Sequence, residues 1–352
     1  VMLALEQSLI PAEVARKWML LGLIIGCILV SFIGLSIGGV SISYSRLMDI
    51  LFAGQSSNLE HAVIWQIRLP RLVLAIVVGA GLGACGAAMQ AIFRNPLADP
   101  GLIGISSGAA LGAISTIVLG STLLSGFADY YGIYAVPIGA FLGCLGVCSL
   151  IYRLSSHGNR FTIVSLLLGG IAVNAIVGAV IGILTLVSSD QQLRDLTFWS
   201  MGSLAGNSFT VIIPSLGLML ACCFGFSRLA QPLNLYLLGE QQAKHLGVDV
   251  VGLKKKIFVY TALCTGAAVA LTGIIGFVGF IVPHIVRLLI GPDHRYLLPA
   301  SMLGGAILLC LADLLARTLI LPSELPIGLI TSALGGPFFL IMLVKTYRIK
   351  EL

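Results

Sequence analysis

The chain has 352 residues, 58% hydrophobic and 10% charged, with a mean hydropathy of +1.06. Its charges cluster between apolar runs of about 20 residues, the length that crosses a bilayer core, whereas a soluble domain interleaves charge with apolar residues to cover its surface. The formal net charge of +6 sits at the ends of these runs, with no basic tract carrying interleaved aromatics, which argues against nucleic acid as a partner.

Backbone N–H and C=O groups in lipid must pair within their own segment. Runs such as 18–36 do not alternate with a period of two, so the spans are helices and not barrel strands. The chain reads as all-α and polytopic, a single transmembrane domain over 1–352. Residues 1–17 are polar and mixed and lead straight into the first span, so no cleavable signal peptide is expected. Ten spans follow in chain order: 18–38, 70–91, 103–123, 133–153, 162–187, 209–226, 257–275, 278–290, 297–318 and 327–344. The eighth is short and holds Pro283; the stretch 100–112 is Gly-rich and is expected to begin as non-helical backbone.

An even number of spans puts both termini on one side. With the N terminus inside, all the Lys and Arg fall in inner segments except Arg46, Arg68, Arg71, Arg194 and Arg317, which leaves 15 of the 20 there. That bias places both termini in the cytoplasm and leaves the five outer arginines to be explained. Small residues recur every four positions in three spans: Gly79, Gly83 and Ala87; Gly104, Gly108 and Gly112; and Gly170, Asn174, Gly178 and Gly182. Such stripes lie on one helix face and let backbones approach closely. The third carries an amide, costly inside a span unless it faces protein or water, so Asn174 is a candidate for a translocation pathway.

Three connections carry chemistry. The longest inner one, about 227–256, contains good helix formers over 241–246, with Gly247 placed to end a short amphipathic helix outside the membrane. Its weak basic character beside Glu240 favours a protein partner over lipid. The segment 93–101 holds Pro96, Pro100 and Gly101 and cannot be a continuous helix. Arg68-Leu69-Pro70-Arg71 opens the second span on the side where arginine is scarce.

Eight cysteines lie inside apolar runs without zinc-ligand flanks and read as buried thiols. The five histidines are scattered, and no metal site is expected. No phosphate-binding G-x-x-x-x-G-K-[ST], H-E-x-x-H or G-x-S-x-G sequence occurs, so the chain is not expected to be an enzyme.

Six segments occur in a family's order. They are Arg68-Leu69-Pro70-Arg71; Asn95-Pro96-Leu97-Ala98-Asp99-Pro100-Gly101; Phe198-Trp199-Ser200-Met201-Gly202-Ser203-Leu204; Leu238-Gly239-Glu240; 276–284, which reads GFVGFIVPH; and Glu324-Leu325-Pro326-Ile327-Gly328. From about residue 60 onward the chain resembles the FecCD/BtuC-type permeases of bacterial ABC importers, which carry ferric siderophores, haem or cobalamin, and is most similar to haemin-import permeases.

The resemblance implies a BtuC-like fold and a homodimer in the inner membrane with the pathway between the copies. ATP would be hydrolysed by two cytoplasmic ATPase subunits docked on Leu238, Gly239, Glu240, Ala243, Leu246 and Gly247. A periplasmic binding protein would meet Arg68, Arg71 and Arg317 through its carboxylates. The inner gate would use Asn95, Leu97 and the start of span five, where Ile163 and Val164 are more apolar than the hydroxyl pair of the cobalamin permease and suit an apolar cargo. Haem is the implied cargo, with no cofactor held permanently. An ion-coupled secondary transporter would instead need ionisable residues at mid-membrane. The main candidate, Asp313, stands one turn from Arg317 near an outer helix end, where a structural ion pair suits it better. A membrane receptor or structural protein is a third class, and it lacks any appended domain in this sequence.

Overall fold

The computed structural model describes residues 12–40, 42–53, 58–157, 160–161, 163–320 and 322–350. A helix follows each expected span: α1 (Ala12–Ser36), α2 (Leu69–Phe93), α3 (Ile105–Leu119), α4 (Ala135–Ser155), α5 (Ile163–Leu186), α6 (Phe209–Arg228), α7 (Val250–Thr272), α8 (Val278–Ile290), α9 (His294–Ala316) and α10 (Ile327–Lys350). Seven of these regions are long and apolar enough to cross a membrane, and α3 and α8 are shorter apolar helices. Helix α7 opens on Val250 to Leu253, carries Lys254, Lys255 and Lys256 in its second turn and has no further charge from Ile257 on. The one strand pairing among the described residues is a two-residue hairpin, Ser156–His157 against Arg160–Phe161.

Helix α2 stands at the centre. It packs most extensively on α9 and also against α6, α7 and α8. Its sequence permits this because three glycines replace side chains where backbones cross. A methyl group at Gly79 or Gly83 would overlap the carbonyls of Gly305 and Ser301 on α9, and one at Gly86 would overlap Gly279 at the start of α8. Helices α3 and α4 cross in the same way, with Gly108 and Gly112 seated on the backbone of Gly143 and Gly139. The first residues of the Gly-rich stretch 100–112 are a 3-10 turn, Pro100–Ile103. Gly104 at φ +82 then lets the chain turn into α3.

Connections contain more helix than the sequence suggested. Short helices at Tyr44–Met48 and Asn58–Ala62 and π-helical turns at Asp49–Ala53 and Val63–Arg68 lie between α1 and α2. An amphipathic helix, Asp190–Met201, lies between α5 and α6. Its N terminus is a capping box in which Ser189 and Gln192 satisfy each other's backbone N–H. Its polar composition left no span signal. The motif from Phe198 to Leu204 ends this helix and joins it to α7 and α10: Ser203 N–H donates to Thr272 O (2.7 Å), and Ile327 N–H to Gly202 O (3.0 Å).

The helices alternate direction, so two ends are distinguishable. At one, Arg16 near the start of α1 donates to Ile290 O at the end of α8 (2.9 Å), and Asn234 donates to Asp293 before α9 (2.7 Å). This end holds most of the lysines and arginines and is called the basic end here. At the opposite end the C termini of α1 and α9 meet the start of α2 through Arg68, Arg71 and Arg317.

Candidate functional site

At the basic end, the connection between α6 and α7 folds as two short helices, Ala230–Leu237 and Glu240–His245. The first was not anticipated. The second lies within one residue of its expected start and end. Its C terminus is a Schellman closure: Val248 N–H donates to Ala243 O (2.9 Å) and Gly247 N–H to Lys244 O (3.0 Å), with Gly247 at φ +85. Gly239, at φ +138, makes the sharp entry.

Ala243 is fully buried and seats the helix, while Leu238 and Leu246 on either side are 64% and 56% exposed. Two large apolar side chains are thus displayed on a polar face. Glu240 is tied internally, accepting from Lys254 Nζ at 2.8 Å, with Lys244 Nζ at 3.6 Å. The hydrogen bond from Lys254 holds its carboxyl below the usual carboxylate range.

The loop after α2 is stiff. Arg94, in the left-handed region at φ +49, ends the helix. Asn95 Oδ1 accepts from Leu97 N–H (2.9 Å), and Asp99 Oδ1 accepts from Gly101 N–H (2.7 Å). Burial pushes the Asp99 carboxyl up, with the Gly101 N–H acting against it. The Asn95 amide oxygen is therefore committed to the turn.

Sequence reasoning missed what joins this loop to the connection between α6 and α7. The Arg94 guanidinium donates to Tyr236 O (2.8 Å) and lies 4.9 Å from the Tyr236 ring centroid. Tyr236 OH in turn donates to Ile92 O at the end of α2 (3.3 Å). Lys254 Nζ, the partner of Glu240, lies 5.8 Å from the same ring. A continuous polar path thus runs from the loop of Asn95 and Leu97 to the helix of Glu240. No sequence spacing signals it, because 142 positions separate Arg94 from Tyr236.

Helix α5 is poorly enclosed by the rest of the chain. Val164, Leu168, Ile171 and Ile176 are exposed, and a Cβ at Gly178 or Gly182 would meet nothing within 4 Å. Asn174 is half-buried, and its Oδ1 accepts from Ser107 Oγ on α3 at 2.5 Å. Only the backbone of Ile163 lies within the described residues.

At the opposite end Arg68, Arg71 and Arg317 come together as expected, but all three are buried. Arg68 donates to the carbonyls of Leu35 (2.5 Å), Ser36 (3.0 Å) and Val40, closing the end of α1. Arg71 bridges Asp313 (2.6 Å) and Glu324 (2.8 Å). Arg317 reaches Gly34 O (2.5 Å) and lies 3.6 Å from Asp313. Asp313 thus sits between two guanidiniums. Glu324, half exposed, is the only one of these carboxylates open to a visitor. It borders a cavity of about 230 Å³ shared with Gln66, Arg71 and Asn207. Among the described residues, no cluster of three metal-ligating side chains occurs.

A bundle of apolar helices around a glycine-seated central helix, with a helical connection exposed at one end, is the architecture of a polytopic membrane protein. The chain belongs to the FecCD transport family, whose sequence pattern matches residues 24–345. It is the permease component of an ABC importer of the FecCD/BtuC type, a multi-pass membrane subunit in a family that works with an ATPase and a substrate-binding partner.

Among its relatives is the hemin transport system permease HmuU of Yersinia pestis, 45% identical over 326 residues, which cover 92% of this chain and 96% of that protein. The cobalamin import permease BtuC of Halobacterium salinarum is 41% identical over 281 residues, 80% of this chain and 73% of that one. A solved structure described as a metal-chelate type ABC transporter, in an inward-facing conformation, superposes with a TM-score of 0.82. It is 32% identical and covers 94% of this chain and 99% of that one.

Proposed function

We propose that the chain moves haem from a periplasmic binding protein across the bacterial inner membrane, with both termini in the cytoplasm. Two copies form the pathway, and two cytoplasmic ATPase subunits drive alternating access. The observation that carries the cargo is the 45% identity to a hemin permease over nearly the whole length of both chains. The apolar face of α5, with Val164 at its start, agrees with a large apolar planar cargo. The chain itself holds no permanent cofactor in this reading: ATP is spent on the partner, and haem passes through.

The ATPase seats on Leu238, Gly239, Glu240, Ala243, Leu246 and Gly247. The geometry divides their labour. Leu238 and Leu246 present the apolar contact, and buried Ala243 with the two glycines fixes the shape. Asn95, Leu97, Ile163 and Val164 close the basic end, and Asn174 lines the path. Arg68, Arg71 and Arg317 serve the binding protein by exchange. A carboxylate of that partner replaces Glu324 on Arg71, while Asp313, Arg68 and Arg317 hold the arginine cluster in place.

The deciding experiment is uptake by the reconstituted chain with its ATPase and binding protein, in parallel with haemin, cobalamin and a ferric siderophore. Haemin uptake that depends on ATP supports the reading. Uptake of only one of the others moves the cargo while keeping the machinery. For the pathway, cysteine at Val164 or Asn174 in a background lacking the native thiols reacts with a small aqueous thiol reagent in at least one transport state, and cysteine at buried Ala87 does not. If neither position labels in any state, the path lies elsewhere.

A further inference from the structure

A second cavity, of about 350 Å³, lies at the basic end between the end of α4 and the start of α7. Its two halves differ in chemistry. The part deeper in the bundle is apolar, lined by Leu145, Phe258, Ala262 and Leu263, with Val259 at its open side. The mouth carries Tyr152, Arg153 and Lys255. Arg153 and Lys255 are exposed and, among the described residues, neither makes an ion pair. Four cations of this end are neutralised, Arg16 and Arg295 by Asp293 and Lys244 and Lys254 by Glu240, whereas Arg228, Lys256 and Arg287, among the described residues, share with Arg153 and Lys255 the lack of an ion pair but do not line this cavity. Lys255 Nζ lies 6.0 Å from the Tyr152 ring centroid, so its ammonium is held over the groove.

A hydrocarbon slot capped by two cations that make no ion pair among the described residues, at the level where a membrane-spanning chain leaves the bilayer core, matches one kind of molecule. We infer that this groove is a binding site for an anionic glycerophospholipid, with an acyl chain between α4 and α7 and the phosphate between Arg153 and Lys255. The apolar floor supplies burial without head-group selectivity, and the two cations supply the selectivity. Tyr152 stands at the boundary, where an aromatic ring with a polar tip is favoured. A protein partner fits less well, because the groove is a slot of about 350 Å³ between two helices, with Val259 exposed beside it. The inference rests on the chain spanning a membrane and not on its cargo.

The test uses the full chain in nanodiscs and a spin-labelled phosphatidylglycerol, compared with phosphatidylcholine of the same acyl chains. The unsubstituted protein should immobilise the anionic lipid in preference to the neutral one. Arg153→Gln with Lys255→Gln should lower that preference about tenfold, and Val259→Trp should reduce immobilisation of both lipids by blocking the slot. Both changes are at exposed positions and should leave thermal stability unchanged. Arg153→Lys should retain most of the preference. An undiminished preference in the double variant overturns the inference. So does full competition by free glycerol phosphate, which would make this a soluble-anion site. Loss of ATPase association in the double variant, with lipid preference intact, also overturns it and assigns the surface to the partner protein.

Discussion

Helices α2 and α5 carry the same written pattern, small residues every four positions, and meet opposite fates. In α2 the glycines are seats: Gly79 and Gly83 each receive a carbonyl of α9 where a methyl group would not fit. In α5 Gly178 and Gly182 face open space, and large apolar side chains on the same helix are exposed. The polar groups differ likewise. At its ends α2 is tied by Arg71 to Asp313 and by Arg94 to Tyr236, whereas α5 has Asn174 held by the hydroxyl of Ser107. Small-residue spacing therefore identifies a face suited to close approach but not what approaches it. In α2 the neighbour is in the same chain; for α5 it is a surface this chain leaves free, in keeping with the proposed second copy and pathway.

The comparison breaks most readily at the glycines. Gly83→Leu should destabilise the chain by about 3 kcal/mol or more, because the clash is with backbone that has no rotamer to move into. Gly178→Leu should change thermal stability in detergent by less than about 0.5 kcal/mol while impairing transport. Equal destabilisation by both would erase the distinction. At the arginine cluster the sharpening pair is Asp313→Asn and Glu324→Gln. The first leaves two buried guanidiniums short of a charge and should cost about 3 kcal/mol. The second removes the half-exposed carboxylate and should cost less than about 1 kcal/mol, while strengthening association with the binding protein at low ionic strength if exchange on Arg71 is how docking works.

The other end of α2 offers a smaller, functional effect. Arg94→Ala should lower transport per ATP hydrolysed about fivefold or more with ATPase affinity unchanged. It cuts the path from Tyr236 to the loop of Asn95 and Leu97 but leaves Leu238 and Leu246 in place. A parallel fall in ATPase affinity would instead make Arg94 part of the docking surface. The smallest effect belongs to Glu240. Its carboxyl is held below its ordinary value by Lys254, so the stabilisation from that pair is present at neutral pH and is lost as pH falls through the depressed folded value. The stability difference between the chain and its Glu240→Gln variant should be modest at pH 7, since the carboxylate is partly exposed, and should vanish under strongly acid conditions. A difference independent of pH would show that the ion pair is not its source.

Several features were legible without coordinates because they are local. Each span left an apolar run, Gly247 marked a helix end, and the inner charge bias located the basic end. Several short helices in the connections escaped, two of them for different reasons. Asp190–Met201 is polar overall, so hydropathy passed over it even though Ser189 and Gln192 spell a capping box. Ala230–Leu237 is short and has no side-chain cap at its start. The arginines show the limit most clearly. Their position at the end opposite the basic one was readable from charge scarcity, but their burial was not, because Leu35, Ser36 and Val40 come from α1 and the turn after it, and Asp313 from α9.

The sequence by itself determined that this chain is a helical membrane protein of about ten spans, because lipid imposes a length and an apolar composition on every segment that crosses it. It also determined the family, through short motifs kept in order. Only the tertiary structure decided which glycine stripe is sealed and which is open, which carboxylate neutralises which arginine, and that Arg94 grips Tyr236. Those choices depend on pairs of residues tens to hundreds of positions apart. Their contact is set by how the helices stack and not by any property of either residue's neighbours in the chain.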